Sequence, residues 1–189
     1  MQFDIFIKGV EIDLVCLNED IISESNWYNW FNDADVTKFM QKHYYPNTKS
    51  MQLSFFKNSI ENNLSKLQCG IYHKESEMLI GVISFNNINF INRNCEIAVI
   101  IGERKAQNLN VLLEAHKLMI KHGFETLNMT KICGGSVIKE MDLLFCRALG
   151  YNREGILKDH VFKNGQYMDV YLFAISIDKY LEVKKNWFK

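Results

Sequence analysis

The sequence has no excess of charge of either sign, almost no proline and no long apolar run. Its 189 residues include 22 basic and 22 acidic side chains, so the formal net charge is zero. Proteins that bind nucleic acid or an anionic membrane surface usually carry a basic excess or a basic stripe. The one proline, Pro46, excludes proline-rich linkers, and no apolar run approaches the roughly 18 residues of a membrane-spanning helix. We therefore predict neither a nucleic-acid partner nor a membrane partner.

Cysteine and histidine also lack the spacing of a metal or redox site. The five cysteines are odd in number, widely spaced and without a C-x-x-C pair, which excludes zinc-ribbon and thioredoxin-like motifs. His116 and His122 are six positions apart, and not the four that place two ligands on one helix face. Residues 1–4 lack the basic-then-apolar order of a signal peptide. These features predict a cytoplasmic protein in a reducing compartment, without a bound metal.

The composition is that of a folded domain. Hydrophobic residues make up 48% of the chain and charged residues 23%, which are ordinary globular values, and the length suits one domain over residues 1–189. Hydrophobic periodicity predicts the order β, α, α, β, β, β, α, β, α, β, β, with residues 179–189 as a short helical tail. We expect an α/β fold with a mixed, mostly antiparallel twisted sheet of about seven strands and helices on both faces.

The junction between an apolar strand at Cys95–Ile101 and a long amphipathic helix is the most informative local feature. The free amides and the dipole of a helix N-terminus favour an anion there. Lys105 adds a cation, and Asn108 and Asn110 belong to the residue type that, after glycine, best tolerates positive φ. The loop is therefore predicted to form a cradle of amides for phosphate. The other interpretation is a surface loop with a helix cap.

Several short segments along the chain together resemble one family. Residues 27–36 are similar to a W-x-N-D-x-x-V pattern. The other similar segments are Tyr45–Thr48, Ile91–Ile97 with Ile100–Gly102, Glu114–Ala115, Leu127–Ile132, Gly150–Tyr151, Glu154–Gly155 and the hairpin through Tyr167 and Asp169. In this order, over nearly the whole chain, they resemble the GNAT superfamily of N-acetyltransferases, most closely its ribosomal-protein and nucleotide-sugar branch.

The resemblance implies acetyl-CoA as a co-substrate, held in a V between the family's fourth and fifth strands. Amides of the fourth strand would bind its pantetheine and amides of the 105–111 loop its pyrophosphate. The implied cofactor-binding residues are Ile100, Ile101, Lys105, Ala106, Gln107, Asn108, Leu109, Asn110, Val111 and Lys139. Here the sequence departs from the family, whose loop pattern Q/R-x-x-G-x-G/A aligns with Lys105, Asn108 and Asn110. Asparagine side chains then stand where glycine lets phosphate approach closely.

Two residues are candidates for catalysis. Cys146 aligns with the family's tyrosine, which often protonates the departing thiolate. It could serve as that acid, attack as a thiolate, or be a core cysteine. Glu96 lies on the fourth strand of the family and could accept a proton from the substrate ammonium; otherwise it is a polar residue on an exposed face.

These features predict an acetyl-CoA-dependent N-acetyltransferase. The acceptor would be a small-molecule primary amine, with an amino sugar or a nucleotide-linked amino sugar as the class nearest to the resemblance. The alternative is a catalytically degenerate protein of the same fold that binds CoA or a protein partner. Either a monomer or a homodimer is compatible with the sequence.

Overall fold

A computed structural model describes residues 3–40 and 43–187 of the chain. The strands are β1 (Ile5–Lys8), β2 (Ile12–Val15), β3 (Leu67–His73), β4 (Met78–Asn89), β5 (Asn94–Ile101), β6 (Lys131–Ser136), β7 (Asn152–Lys163) and β8 (Gln166–Ser176). The helices are α1 (Glu19–Glu24), α2 (Trp27–Trp30), α3 (Lys49–Ser59), α4 (Leu109–Glu125), α5 (Lys139–Leu149) and α6 (Ile177–Val183).

The strands form one mixed sheet in the order β1-β2-β3-β4-β5-β6-β8-β7. β5 and β6 are parallel, and the other neighbouring pairs are antiparallel. The predicted α/β fold with a mostly antiparallel sheet is confirmed. The sheet has eight strands where about seven were expected.

The eighth strand arises because the first predicted strand is a hairpin. The chain reverses after Lys8, where the Gly9 amide donates to the Asp13 carboxylate at 2.9 Å. The amides of Val10 and Glu11 both donate to the carboxylate of Glu114, a residue of α4. A side chain far along the sequence therefore fixes this turn. Local periodicity in residues 3–17 is compatible with either one bent strand or a hairpin near Gly9, and the structure shows the hairpin.

Helices cover both faces of the sheet, as expected. On one face α1, α2 and α3 bury a cluster that includes Trp27 and Trp30, and Val82 of β4 belongs to it. On the other face α4 and α5 pack over the larger core, which includes Phe85 and Ile132. Burial of apolar surface of this kind is the main stabilising term of the fold. The two tryptophans of α2 therefore belong to the hydrophobic core.

Gly102, at the end of β5, ties the first helical layer to the sheet. A Cβ atom at this position would lie 1.9 Å from the ring of Trp30, so only glycine allows that approach. The indole Nε1 of Trp30 donates to Glu103 at 2.9 Å. The end of β5 is thereby held against α2, directly before the loop that leads to α4.

The C-terminal helix returns to the main core. Tyr180 and Trp187 are buried, and the Tyr180 hydroxyl donates to Glu125 of α4 at 2.7 Å. In the described part of the chain, no helix has the length and apolar character to span a bilayer. Nor do residues 3–40 and 43–187 bring three or more His, Cys, Asp or Glu side chains into a metal-binding group.

Candidate active site

The parallel strands β5 and β6 separate partway along their length. They pair at Asn94, Cys95 and Glu96 of β5, opposite Lys131, Ile132 and Cys133 of β6. Beyond Glu96 the register with β6 ends, although β5 continues to pair with β4 up to Ile101. The edge of Ile97–Ile101 that faces β6 therefore carries backbone groups without a partner strand, in a V that opens toward the start of α4.

A cavity of about 1010 Å³ occupies this V and reaches both faces of the sheet. Its floor is formed by β4 and β5 residues, among them Ser84 and Ala98. On the side of the larger core the cavity meets α4 and α5, at Leu112 and Phe145. On the other side it meets residues 39–40 and several residues of the stretch 43–55, among them Tyr44 and Phe55. A cleft open on both faces can bring two different molecules together at the V.

A smaller cavity of about 380 Å³ adjoins the beginning of α4. It is lined by Ile101, Gln107, Asn108, Leu109 and Leu112, so the structure brings together four of the residues predicted to bind a cofactor. Leu112 belongs to both cavities. The cavity at the start of α4 and the cavity in the V are therefore neighbours that share the Leu112 side chain as a wall.

The α4 N-terminus does not have the backbone that was predicted for it. Asn108 is the helix N-cap, with φ −137° and ψ 162°, and its side chain accepts from the Val111 amide at 2.9 Å. Asn110 lies within the helix, and neither residue has positive φ. The prediction of a cradle built on positive φ at these asparagines is wrong. N-capping is the physical reason, since asparagine is among the best capping residues.

The cap also changes which amides can meet an anion. The Val111 amide is taken by the Asn108 side chain, and those of Ala106 and Gln107 donate to carbonyls of their own loop. Leu109 and Asn110, the first two residues of α4, have amides without an intrahelical acceptor. The helix dipole adds a partial positive charge there. This end of α4 can hold a phosphate through a helix N-terminus, without a glycine loop.

Four of the predicted cofactor-binding residues lie in the loop before α4, on β5 and on α5. Gln107 donates through Nε2 to the Ile101 carbonyl at 2.9 Å, which fixes the end of β5 to the loop. Lys105 is exposed in the short turn Arg104–Ala106. Ile100 lines the large cavity. Lys139 is the exposed first residue of α5 and does not line either cavity among the described residues.

Cys146 lies on α5 but outside the described lining of the cavity, which α5 meets through Met141 and Phe145. Its thiol donates to the Asp142 carboxylate at 3.6 Å. Burial raises the pKa of the Cys146 thiol, and the nearby Asp142 carboxylate raises it further. A nucleophilic cysteine needs a lowered pKa, so this environment argues against the thiolate alternative.

Glu96 stands where the V begins. It is exposed, lies opposite Cys133 in the last β5–β6 pair and opposite Asn86 of β4. Alternate residues of a strand share a face, and Ala98 and Asn86 both line the cavity. Glu96 is therefore a carboxylate at the cavity margin, on the face turned away from α4.

His116 is a cavity residue that sequence reasoning did not select. It is buried on α4, and its Nδ1 donates to the Leu112 carbonyl at 2.9 Å while its ring packs 4.6 Å from the ring of Phe145. Burial lowers the pKa of His116 to about 4, so the ring is neutral at pH 7. The sequence signal for His116 was its position on the apolar face of α4. A histidine on an apolar helix face is ordinarily a core residue, so this signal does not identify a cavity residue.

The cap at the start of α4 offers a direct test of anion binding. Asn108→Asp keeps a good N-cap but adds a negative charge next to the free amides. We expect it to weaken CoA binding at least about tenfold, because like charges about 4 Å apart near a protein surface repel by about 4 kcal/mol, and a tenfold loss of affinity needs only about 1.4 kcal/mol. Titration calorimetry with CoA measures the effect.

The matched control is Asn108→Ser, which also caps the helix but adds no charge. We expect its thermal midpoint and CoA affinity to stay close to those of the wild type. If Asn108→Asp binds CoA as tightly as Asn108→Ser, phosphates do not bind at the start of α4.

Comparison with known proteins gives a consistent result. The family model described as acetyltransferase (GNAT) domain matches residues 22–139. The uncharacterized N-acetyltransferase p20 of Bacillus licheniformis is 28% identical over 159 residues, which cover 80% of this chain and 85% of that protein. Spermidine N(1)-acetyltransferase of Escherichia coli (strain K12) is 32% identical over 108 residues, 56% of this chain and 57% of the relative.

A solved structure matches the fold over almost its whole length. It is spermidine N-acetyltransferase from Vibrio cholerae in complex with CoA and spermine, with a TM-score of 0.79. The match covers 92% of this chain and 99% of that chain at 21% sequence identity. At this level of identity the likeness concerns the fold.

Proposed function

Because the chain belongs to the GNAT acetyltransferase family, we propose that it transfers the acetyl group of acetyl-CoA to a primary amine of a small molecule. The observation that carries the proposal is the V between β5 and β6, whose cavity opens on both faces of the sheet and adjoins the cavity at the start of α4 through Leu112. A donor entering from α4 and an acceptor entering from the opposite face would meet beside the unpaired edge of β5.

The residues of the V suit acetyl-CoA. The amides of Leu109 and Asn110 would hold the pyrophosphate, and the open edge of β5 near Ile100 would pair with the amide groups of the pantetheine. Leu112 and Phe145 offer apolar walls. When bound, acetyl-CoA would supply a thioester whose carbonyl carbon forms a bond to the amine nitrogen as its C–S bond breaks. The proton that the nitrogen loses on becoming an amide would end on the CoA thiolate, which leaves as a thiol.

The chain itself would then position the amine and manage its proton. An amine is protonated at pH 7 and must lose a proton before it can attack. Glu96, at the margin of the cavity, is the proposed acceptor of this proton, directly or through water. A backbone amide on the open edge of β5 would donate to the oxygen on which negative charge develops.

Two classes of amine are candidates for the acceptor of this chain. The E. coli and V. cholerae relatives are named for spermidine, which makes a polyamine one candidate for this chain. An amino sugar or a nucleotide-linked amino sugar stays a prediction from the sequence. The spermidine-named relatives are 32% and 21% identical to this chain, and the shape and charge of the cavity distinguish the two classes of acceptor.

The second candidate is a protein that binds CoA without acetyl transfer. The observations that favour it are the asparagine cap at Asn108, where the family pattern has glycine, and Cys146, where the family has tyrosine. Calorimetry with acetyl-CoA and release of free thiol in the presence of primary amines test the two. Binding with amine-dependent thiol release supports the enzyme, binding without it supports the second candidate, and absent binding contradicts both.

Replacing Cys146 tests its predicted role as general acid. Because its thiol donates to Asp142 and the described cavity lining does not include it, we expect Cys146→Ala to keep kcat within about twofold of the wild type, in line with a packing role. The measurement is kcat as a function of pH. A fall of tenfold or more, with a shift of the alkaline limb, would instead assign Cys146 the acid role.

A further inference from the structure

We infer that the acceptor is a primary amine carried on a flat aromatic group, with a single positive charge, rather than a polyamine. The inference rests on the proposed acetyl transfer and names the acceptor class for the same site. It is drawn from the wall of the cavity on the side away from α4, which we call the acceptor wall and define as the lining residues between Phe39 and Phe55.

The acceptor wall exposes large apolar side chains in one place. The relative exposures are Phe39 46%, Tyr44 52%, Tyr45 84%, Met51 51% and Phe55 37%, and all five residues line the cavity. Exposed apolar clusters mark interaction surfaces, and a cluster that lines a cavity is typical of a ligand-binding groove. Aromatic rings gain most from a partner ring stacked or tilted against them. The wall therefore fits a ligand with a flat, apolar body.

The charges of the wall are wrong for a polyamine. None of the described residues that line the cavity is aspartate or glutamate, and the sequence has no acidic residue between Asp35 and Glu61. An ammonium group that leaves water must be paired to avoid a large desolvation cost. Glu96 at the cavity margin supplies one carboxylate, which matches one ammonium and leaves the others of a polyamine unpaired.

Aromatic rings can also bind cations directly, but three of the four aromatic rings named in the acceptor wall already face lysines of this chain. The ammonium nitrogens lie 5.0–5.1 Å from the ring centroids in three pairs: Lys38 over Phe39, Lys66 over Phe55 and Lys163 over Tyr44. A second cation at these rings would be repelled. A neutral aromatic ring would not.

Competing amines test the inference through both binding and turnover. The probes are 2-phenylethylamine, n-butylamine and spermidine, titrated calorimetrically into the protein with and without CoA and assayed by thiol release from acetyl-CoA. We expect kcat/KM for 2-phenylethylamine to exceed that for spermidine on the order of 30-fold, within the range that pocket contacts can supply. Butylamine should lie between them.

A matched pair of variants assigns the preference to the acceptor wall. Tyr45 is 84% exposed, so neither Tyr45→Phe nor Tyr45→Ala should affect folding. Tyr45→Phe should keep the preference for 2-phenylethylamine over butylamine, and Tyr45→Ala should reduce it several-fold. Spermidine binding or turnover equal to that of 2-phenylethylamine overturns the inference but leaves the proposed function standing. Absent acetyl-CoA binding contradicts the proposed function, while the amine titrations still decide the inference.

Discussion

Replacing Ala98 by phenylalanine is expected to lower kcat/KM for the amine acceptor by at least about 100-fold without unfolding the protein. Ala98 is exposed on β5, lies opposite Ser84 and lines the floor of the cavity. A phenylalanine side chain there would project into the space that the attacking amine needs. Because an exposed alanine buries little, the substitution should not disturb the core. Steady-state kinetics and a thermal unfolding curve measure the two effects.

Ala98→Ser is the control, since it changes the chemistry of the floor without filling the cavity. We expect it to retain kcat/KM within about threefold, because serine adds only one oxygen atom to the alanine side chain and leaves the cavity open. CoA should still bind to Ala98→Phe, because the start of α4 lies beyond the C-terminal end of β5. If Ala98→Phe acetylates amines as fast as the wild type, the acceptor does not approach across this floor.

Much of the fold could be predicted from the sequence because its elements carry local signals. The Asn164-Gly165 pair predicts the β7–β8 hairpin, and both residues have positive φ in the structure. The long amphipathic stripe predicts α4. The alternation in residues 3–17 left a bent strand and a hairpin near Gly9 as alternatives, because the carboxylate that fixes the turn belongs to Glu114, which is distant in sequence.

The part of the candidate site that consists of one strand and the loop after it could be predicted from the sequence. The part where side chains from several elements meet could not. The junction after Cys95–Ile101 was found because a strand that feeds a helix is a local pattern. The acceptor wall was missed, since Phe39 and Phe55 have no periodicity that separates cavity from core. Asn108 is a third case. It lies at the start of α4, as predicted, but its φ is negative where a positive φ was predicted. Its residue type suits both positive φ and an N-cap, and only the start of the helix decides.

His116 predicts a pH dependence of stability that its replacement should remove. Burial holds its pKa at about 4 in the folded protein, against about 6.5 in an unfolded chain. Between these values the unfolded state binds more protons, so the free energy of unfolding falls as the pH falls. From pH 7 to pH 5 this residue alone should cost about 2 kcal/mol of stability. Denaturant unfolding at the two pH values measures the loss.

The matched variant is His116→Gln, which keeps an amide donor for the Leu112 carbonyl but does not titrate. Replacing a buried ring will itself change stability, so each protein is compared with itself at the two pH values. His122, whose pKa is also lowered by burial, is present in both proteins and cancels. The variant should therefore lose about 2 kcal/mol less than the wild type between pH 7 and pH 5. Equal losses would mean that His116 is not held neutral by burial, and the cavity beside Phe145 would then be wetter than its apolar walls indicate.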